Sequence, residues 1–156
     1  KQGLWQALVQ ERTQQLTAPL RDPSPAVHDN PREVLLQMAR SLMNLVRSPE
    51  CGGAYRLILS EGGRTPELAQ AMYENGPAAC QRQVAAYLRE QTARGALNVP
   101  DPELAAEQFG NLVGGDLALQ NTCGMAPKHT PAEIERRLAA AVDMFLRAYA
   151  SSVPAH

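Results

Sequence analysis

Cysteine and histidine are the residues most often used for nucleophilic catalysis or metal binding, and this chain has three of each. Their wide separation matches neither a zinc motif nor a disulfide framework, so the cysteines are predicted to be reduced thiols, more readily small buried hydrophobes than redox sensors. Paired glycines at 52–53, 62–63 and 114–115 lack the spacing of phosphate-binding loops, and no Ser/His/Asp arrangement is visible. The sequence therefore predicts no enzyme, no metal and no cofactor. The six residues are Cys51, Cys80, Cys123, His28, His129 and His156.

One carboxylate stands out as a possible ligand contact. Asp116 is the only charged residue between Gln108 and Cys123. A carboxylate in such a window must be solvated, paired with a cation such as Arg40 or Arg56, or directed at a ligand. A position facing a cavity would favour a cationic or hydrogen-bond-donating ligand, and the alternatives stay open at this point.

The composition favours a helical domain. The chain has 156 residues, 44% hydrophobic but only 4% aromatic, and most of its apolar residues are Ala and Leu, which suit helices. Its net charge of −1 and pI of about 6.3 give no basis for this segment to grip nucleic acid or an anionic membrane. No apolar run is long enough to span a membrane and no signal peptide is visible. We expect one soluble, cytoplasmic, all-α domain.

Proline marks where the helices begin. Six of the twelve prolines follow a residue that can cap a helix N-terminus, and Thr130-Pro131-Ala132-Glu133 has the pattern of a capping box. Gly95 and Gly124 stand where C-terminal caps belong. The predicted loop Pro19 to Asn30 is the longest. The seven predicted helices run from Gly3 to Thr17, Pro31 to Arg47, Pro49 to Gly62, Pro66 to Glu74, Pro77 to Arg94, Pro102 to Cys123 and Pro131 to Ala150.

The last two predicted helices carry more apolar surface than one helix face needs. Ala106, Gly110, Gly114 and Ala118 recur at i, i+4 spacing and would form a stripe of small side chains. Glycine inside a helix costs about 1 kcal/mol relative to alanine, which calls for a packing reason. Contact with a helix of another subunit is the simplest reason, and contact with helices of the same subunit is the alternative.

Several short motifs resemble a known family. Between Glu50 and Tyr149 the chain is similar to the C-terminal regulatory domain of TetR-family transcriptional regulators, especially their AefR-like branch. Family members often have an aromatic residue before the Pro-Glu-Leu triplet, where this chain has Thr65. The motifs are Tyr55-Arg56-Leu57 with Glu61, Pro66-Glu67-Leu68, Gly76-Pro77, Tyr87-Leu88 with Gln91, Arg94-Gly95, and Asp101-Pro102-Glu103-Leu104-Ala105-Ala106-Glu107-Gln108-Phe109.

The resemblance implies a regulatory domain over residues 1–156, with residues 1–5 as the seam to an N-terminal helix-turn-helix domain that contacts operator DNA. It also implies a homodimer whose last two helices form an antiparallel four-helix bundle. The interface residues expected there are Ala106, Gly110, Gly114, Ala118, Ile134, Leu138, Val142 and Phe145.

A ligand pocket among the preceding helices is the third implication, for a small apolar or amphipathic effector. Binding would shift the first helix and so change the spacing of the two recognition helices. A helical protein-interaction scaffold and, less readily, a small all-α enzyme are the alternative functions. The candidate pocket residues are the inward positions Met38, Leu42, Leu45, Ile58, Tyr73, Val84, Tyr87, Phe109, Val113 and Asp116.

Overall fold

A proline opens every helix that the structure describes. The structure is a computed structural model, which describes residues 30–126 and 128–151. Those residues form six α-helices and no strand, apart from one isolated antiparallel bridge between Leu97 and Ala150. The predicted all-α class is confirmed. The helices are α1 (Pro31–Val46), α2 (Pro49–Glu61), α3 (Pro66–Asn75), α4 (Pro77–Ala93), α5 (Pro102–Thr122) and α6 (Pro131–Tyr149).

All six helices begin at the predicted proline and end within one residue of the predicted end. Side chains of Asn30, Ser48, Asp101 and Thr130 accept hydrogen bonds from the first turns, whereas Thr65 makes no such bond. The predicted capping box at Thr130 is present, with its backbone N–H donating to Glu133 Oε2 over 2.8 Å. The predicted helix Gly3 to Thr17 and all of the predicted loop except Asn30 lie outside the described residues.

Two glycines end helices as the sequence predicts. Gly95 and Gly124 have φ values of +75° and +70°, a region that side-chain-bearing residues rarely adopt. After α4, Ala96 N–H donates to Gln91 O over 3.0 Å, and after α5, Met125 N–H donates to Gln120 O over 2.9 Å. Both are Schellman caps, which satisfy carbonyls left open at a helix end.

The core lies among α1, α4, α5 and α6, which we call the frame. Helix α5 packs on each of the other three. At the centre the rings of Phe109 and Phe145 meet edge to face, with centroids 5.2 Å apart, and both side chains are buried. Leu35 and Leu88 bring α1 and α4 into the same core. Burial of these large side chains supplies most of the driving force for folding.

Two ion pairs join α1 to α6 in antiparallel order. Arg32 Nε donates to Asp143 Oδ1 over 2.7 Å, and Arg40 pairs with Glu135. Both carboxylates have a pKa below the ordinary value, chiefly because they accept hydrogen bonds from these guanidinium groups. Exposed pairs add little stability, so their effect is to fix the register of the two helices.

Helices α2 and α3, which we call the flank, bury far less. Gly52 is the only buried residue of α2 and Met72 the only one of α3. The flank is tied to the frame through Asn121, whose Nδ2 donates to Val46 O over 2.6 Å and to Ser48 O over 3.0 Å. Gly52 allows this approach, since a Cβ there would lie 3.0 Å from Asn121 Nδ2.

Helix α5 is kinked at Gly115. This residue has φ +36° and ψ −126°, so the residues before and after it form two helical segments with different directions. Only glycine adopts such a backbone conformation without strain. The segment after the kink carries Asn121 and therefore the bonds to the junction of α1 and α2.

Candidate functional site

The predicted pocket residues fall into three groups by burial. Five lie in the core of the frame, three are half-buried and two are on the surface, so the structure brings only part of the predicted site together. Buried are Met38, Val84, Tyr87, Phe109 and Val113; half-buried are Leu42, Leu45 and Ile58; exposed are Tyr73 and Asp116.

Asp116 lies on the surface of α5 and accepts a hydrogen bond from the Gln120 side chain, one turn further on. Neither of the two arginines predicted as possible partners forms an ion pair with Asp116. Arg40 is paired with Glu135, and Arg56 donates to the backbone oxygen of Asn121 over 3.2 Å. The position corresponds to the solvated alternative.

A line of polar side chains runs along one edge of the buried face of α4. Gln83, Tyr87 and Gln91 follow each other at i, i+4 and i+8. Tyr87 is 6% exposed and Gln91 is 2% exposed. Buried atoms of all three, namely Gln83 Oε1, the Tyr87 hydroxyl and Gln91 Nε2, form no hydrogen bond in the structure. Buried polar groups are nearly always paired, so three in a row mark this edge as unusual.

The chemistry of this line is specific. Gln83 Oε1 needs a donor, Gln91 Nε2 needs an acceptor, and the Tyr87 hydroxyl between them can serve as either. Burial raises the pKa of Tyr87 to about 12, so the phenol keeps its proton at neutral pH. Eight residues of helix span about 12 Å. The line therefore suits an elongated ligand with hydrogen-bonding groups at both ends and in the middle.

A small cavity lies elsewhere, where the ends of α1 and α5 meet the start of α6. Its volume is about 130 Å³. None of the ten predicted pocket residues lines it, and only Ile134 of the predicted interface residues does. The lining residues are Arg47, Leu117, Gln120, Asn121, Met125, Ala126, Lys128, His129 and Ile134.

The stripe of small residues on α5 faces in more than one direction. Ala106 is buried in the core, and Gly114 faces α1, where a Cβ would lie 3.8 Å from Val46 Cγ2. A Cβ on Gly110 would meet no atom within 4 Å, so that position has open space, and Ala118 is half-buried. The other four predicted interface residues, Ile134, Leu138, Val142 and Phe145, are all buried in the chain's own core.

Large apolar side chains are exposed on the other faces of these two helices. Leu104, Leu112 and Leu119 are exposed on α5, and Met144 is exposed on α6. Positions 104 and 112 lie about 80° apart around the segment before the kink, and Leu119 lies on the segment after it. This outer surface, Leu104, Leu112, Leu119 and Met144, contains apolar groups that a partner helix can cover.

The three cysteines occupy different environments. Cys80 is buried, Cys51 is half-buried and Cys123 is exposed. Burial raises the pKa of Cys51 to about 11 and also raises that of Cys80, so both thiols stay protonated and unreactive at neutral pH.

Within the described residues, no helix has the length and apolar character needed to cross a membrane.

Sequence reasoning missed two of the three polar residues on α4 and the cationic side chains of the cavity. Gln83 and Gln91 appear as ordinary surface residues of a helix until their burial is known. Their shared signal is the four-residue spacing from Tyr87, which places all three on one edge of the helix, and Gln91 also stands in a motif of the family resemblance. Arg47 and Lys128 are 81 positions apart, and nothing in the sequence indicates that they approach the same cavity.

Comparison with known proteins gives a consistent result. Residues 33–151 match the family model described as AefR-like transcriptional repressor, C-terminal domain. A solved structure named "Flavonoid-responsive Regulator FrrA" is similar with a TM-score of 0.81 and 32% identity, over 97% of this chain and 76% of that one. A search among curated proteins gave no significant match.

A second solved structure is described as a TetR-family transcriptional regulator from Mesorhizobium loti MAFF303099. It is similar with a TM-score of 0.72 and 23% identity, over 93% of this chain and 69% of that one, and it shows the fold alone. The family model and the 32% identical regulator together cover the helices of the frame and the flank. This chain belongs to the TetR family of transcriptional regulators and carries its AefR-like C-terminal domain.

Proposed function

We propose that this chain is the effector-binding and dimerisation domain of a ligand-responsive transcriptional repressor that works in the cytoplasm as a homodimer. Family membership supports regulation rather than catalysis. The observation that carries effector binding is the buried Tyr87 hydroxyl without a hydrogen-bond partner, between Gln83 and Gln91 on the same edge of α4. An unpaired buried polar group costs about 1–3 kcal/mol, which a polar ligand would offset.

The effector we propose is a planar, hydroxylated aromatic molecule of the flavonoid type. Such a molecule has several rings in a line, phenolic hydroxyls that donate and a carbonyl that accepts. These groups match Gln83 Oε1, the Tyr87 hydroxyl and Gln91 Nε2 in kind and in span. The flavonoid-responsive regulator with 32% identity supports the same class.

Space for the effector comes from movement of the flank. Helix α3 packs on α4 and buries only Met72, so its displacement loses little apolar contact. Helix α5 also packs on α4, but it contributes Phe109 and Val113 to the core and yields less readily. Entry beside α3 is therefore the easier route to the polar edge of α4.

The dimer forms through the outer surface of α5 and α6 defined by Leu104, Leu112, Leu119 and Met144. A homodimer made in this way is self-complementary, because each protomer presents the same surface. Helix-turn-helix domains on such a dimer read half-sites about 34 Å apart. Repression is relieved if the effector binds more tightly to a conformation in which these domains no longer match the half-sites.

Replacement of Tyr87 by phenylalanine tests the effector site. Tyr87→Phe keeps the ring and removes the hydroxyl, so affinity for a polyhydroxylated flavone should fall about tenfold, the equivalent of one lost hydrogen bond. Isothermal titration calorimetry measures this. Tyr73→Phe is the matched control, because the Tyr73 side chain is 51% exposed and lies on the flank.

The thermal stability of the unliganded chain distinguishes a role of the Tyr87 hydroxyl in effector binding from a structural role. The Tyr87 hydroxyl has no partner without ligand, so Tyr87→Phe should leave the thermal midpoint of the unliganded chain unchanged or raise it. Equal flavone affinity in Tyr87→Phe and the parent chain would contradict the site. A chain that dimerises but binds no flavone at all would instead favour the protein-interaction scaffold.

A further inference from the structure

The cavity at the junction of α1, α5 and α6 has two kinds of wall. Arg47 follows the end of α1 and Lys128 lies in the connection between α5 and α6, and both line it. Leu117, Met125 and Ile134 supply apolar atoms to the same cavity. Cationic groups beside an apolar lining are suited to a ligand with an anionic end and a hydrophobic body.

No residue of the described ranges neutralises the two cations of the cavity. Neither Arg47 nor Lys128 forms an ion pair with any residue between 30 and 126 or between 128 and 151. No Asp or Glu is among the lining residues.

The nearby carboxylates already have hydrogen-bond partners. Glu133 lies 4.0 Å from the lining residue His129, but its Oε2 accepts bonds from the backbone N–H and the hydroxyl of Thr130 in the capping box. Asp116 accepts the hydrogen bond from Gln120. Neither of these carboxylates forms an ion pair with Arg47 or Lys128, so within the described part of the chain both cations can pair with an anion from solution.

The size of the cavity limits the ligand. A volume of about 130 Å³ corresponds to about four water molecules at roughly 30 Å³ each. The cavity is open to solvent and smaller than the usual site of a drug-sized molecule, about 300–1,000 Å³, so it encloses a small ligand or only one end of a larger one. A single aromatic ring or a short aliphatic chain with one carboxylate fits.

We propose that this cavity is a second ligand site, separate from α4, that binds a small monocarboxylate with an apolar body, of the size of benzoate. The carboxylate lies between Arg47 and Lys128, which are contributed by different parts of the chain, and the body contacts Leu117 and Ile134. The arginine guanidinium suits a carboxylate because it offers paired N–H donors.

Binding at this site would bring the ends of α1 and α5 and the start of α6 together around one ligand. Asn121 also lines the cavity and holds the last turn of α5 to the backbone of Val46 and Ser48. The kink at Gly115 lies just before this segment. A bound carboxylate would thus fix the direction of the α5 end relative to α1 and strengthen the connection between frame and flank.

Benzoate titration of the 156-residue chain tests the site, with benzyl alcohol as the uncharged analogue of the same size. Benzoate should bind at least about tenfold more tightly than benzyl alcohol, because a hydrogen bond to a charged group is worth about that factor or more. Arg47→Gln and Lys128→Gln should each weaken benzoate binding about tenfold. Arg64→Gln, an exposed cation before α3, is the matched control and should leave benzoate affinity unchanged.

Two further titrations distinguish this site from the effector site. Tyr87→Phe should leave benzoate affinity unchanged, and Arg47→Gln should leave flavone affinity unchanged. Inorganic phosphate should bind more weakly than benzoate, since it gains nothing from the apolar wall.

Three results would overturn the proposal. They are equal affinity for benzoate and benzyl alcohol, benzoate affinity that survives both Arg47→Gln and Lys128→Gln, and phosphate binding as tight as that of benzoate. Each can occur whether or not flavone binds, so failure of this site and failure of the effector site are separate outcomes.

Discussion

The frame and the flank both consist of α-helices, but their helices are held in different ways. The frame buries Phe109, Phe145, Leu35 and Leu88 in one continuous core, whereas the flank buries only Gly52 and Met72. The flank, like the outer surface of α5 and α6, exposes large apolar side chains, namely Tyr55, Leu59 and Tyr73. Buried apolar area sets most of the stability of a helix pair. Displacing a helix of the flank therefore costs less free energy than displacing a helix of the frame.

This difference suits a regulator whose effector must enter an otherwise filled interior. The frame keeps α5 and α6 in a fixed relation, which a dimer needs on its outer surface. Of the flank helices, α3 packs on α4, the helix that carries the polar line of Gln83, Tyr87 and Gln91, and it buries only Met72. In such a molecule the interface stays constant while the covering helices adapt to a ligand.

The largest predicted effect is the loss of a ring from the centre of the frame. Phe109→Ala should lower the free energy of unfolding by about 3–5 kcal/mol, because it leaves a cavity beside Phe145. Leu59→Ala on the flank should change it by less than about 0.5 kcal/mol, since Leu59 is 75% exposed. Urea denaturation at one protein concentration measures both. Similar losses for the two variants would show that the frame and the flank do not differ as described.

Two exposed leucines, one in each region, sharpen the comparison at the surface. Leu112 is 40% exposed on α5, and Leu59 is more exposed on α2. If α5 and α6 form the dimer, Leu112→Glu places a charge in the interface and should raise the dimer dissociation constant about a hundredfold. Leu59→Glu should leave it unchanged. Sedimentation equilibrium measures both values, and a dimer weakened only by Leu59→Glu would move the interface to the flank.

The sequence predicted the helix bounds well because their signals are local. A proline after a capping residue starts a helix regardless of what packs on it, and this held even at Thr65, where the side chain makes no cap. Which side of α5 faces the core was harder to predict. Each i, i+4 step advances about 40° around a helix, so Ala106, Gly110 and Gly114 already spread over about 80°, and Ala118 lies beyond the kink at Gly115. That arc includes a core position, an open position and a contact with Val46.

The candidate site was only partly predictable for a different reason. Of the two tyrosines predicted at inward positions, Tyr87 is buried and Tyr73 is exposed. Gln83 and Gln91 were not selected, because glutamine on a helix is normally a surface residue. Their burial depends on which helices pack beside α4, and that information is spread over the whole chain. The cationic cavity has the same origin, since it brings Arg47 next to Lys128.

The smallest predicted effect concerns the kink at Gly115, within α5. Gly115→Ala should lower the free energy of unfolding by about 1–2 kcal/mol, because a side chain is strained at φ +36°. Gly110→Ala is the matched control in the same helix: a Cβ there meets no atom within 4 Å, so it should raise stability by about 0.5–1 kcal/mol.

If Gly115→Ala lowers the free energy of unfolding and Gly110→Ala raises it, α5 has a fixed kink in solution. That kink lies between the firmly packed part of α5 and the segment that holds the flank through Asn121. If both variants stabilise the chain, α5 is a continuous helix in solution, without a kink at Gly115. Hydrogen exchange at Leu117 and Ala118 gives an independent measurement, since Gly115→Ala should speed exchange there more than at Ala105 and Ala106. Exchange that rises equally along the whole helix would mean that α5 opens as one unit rather than as two.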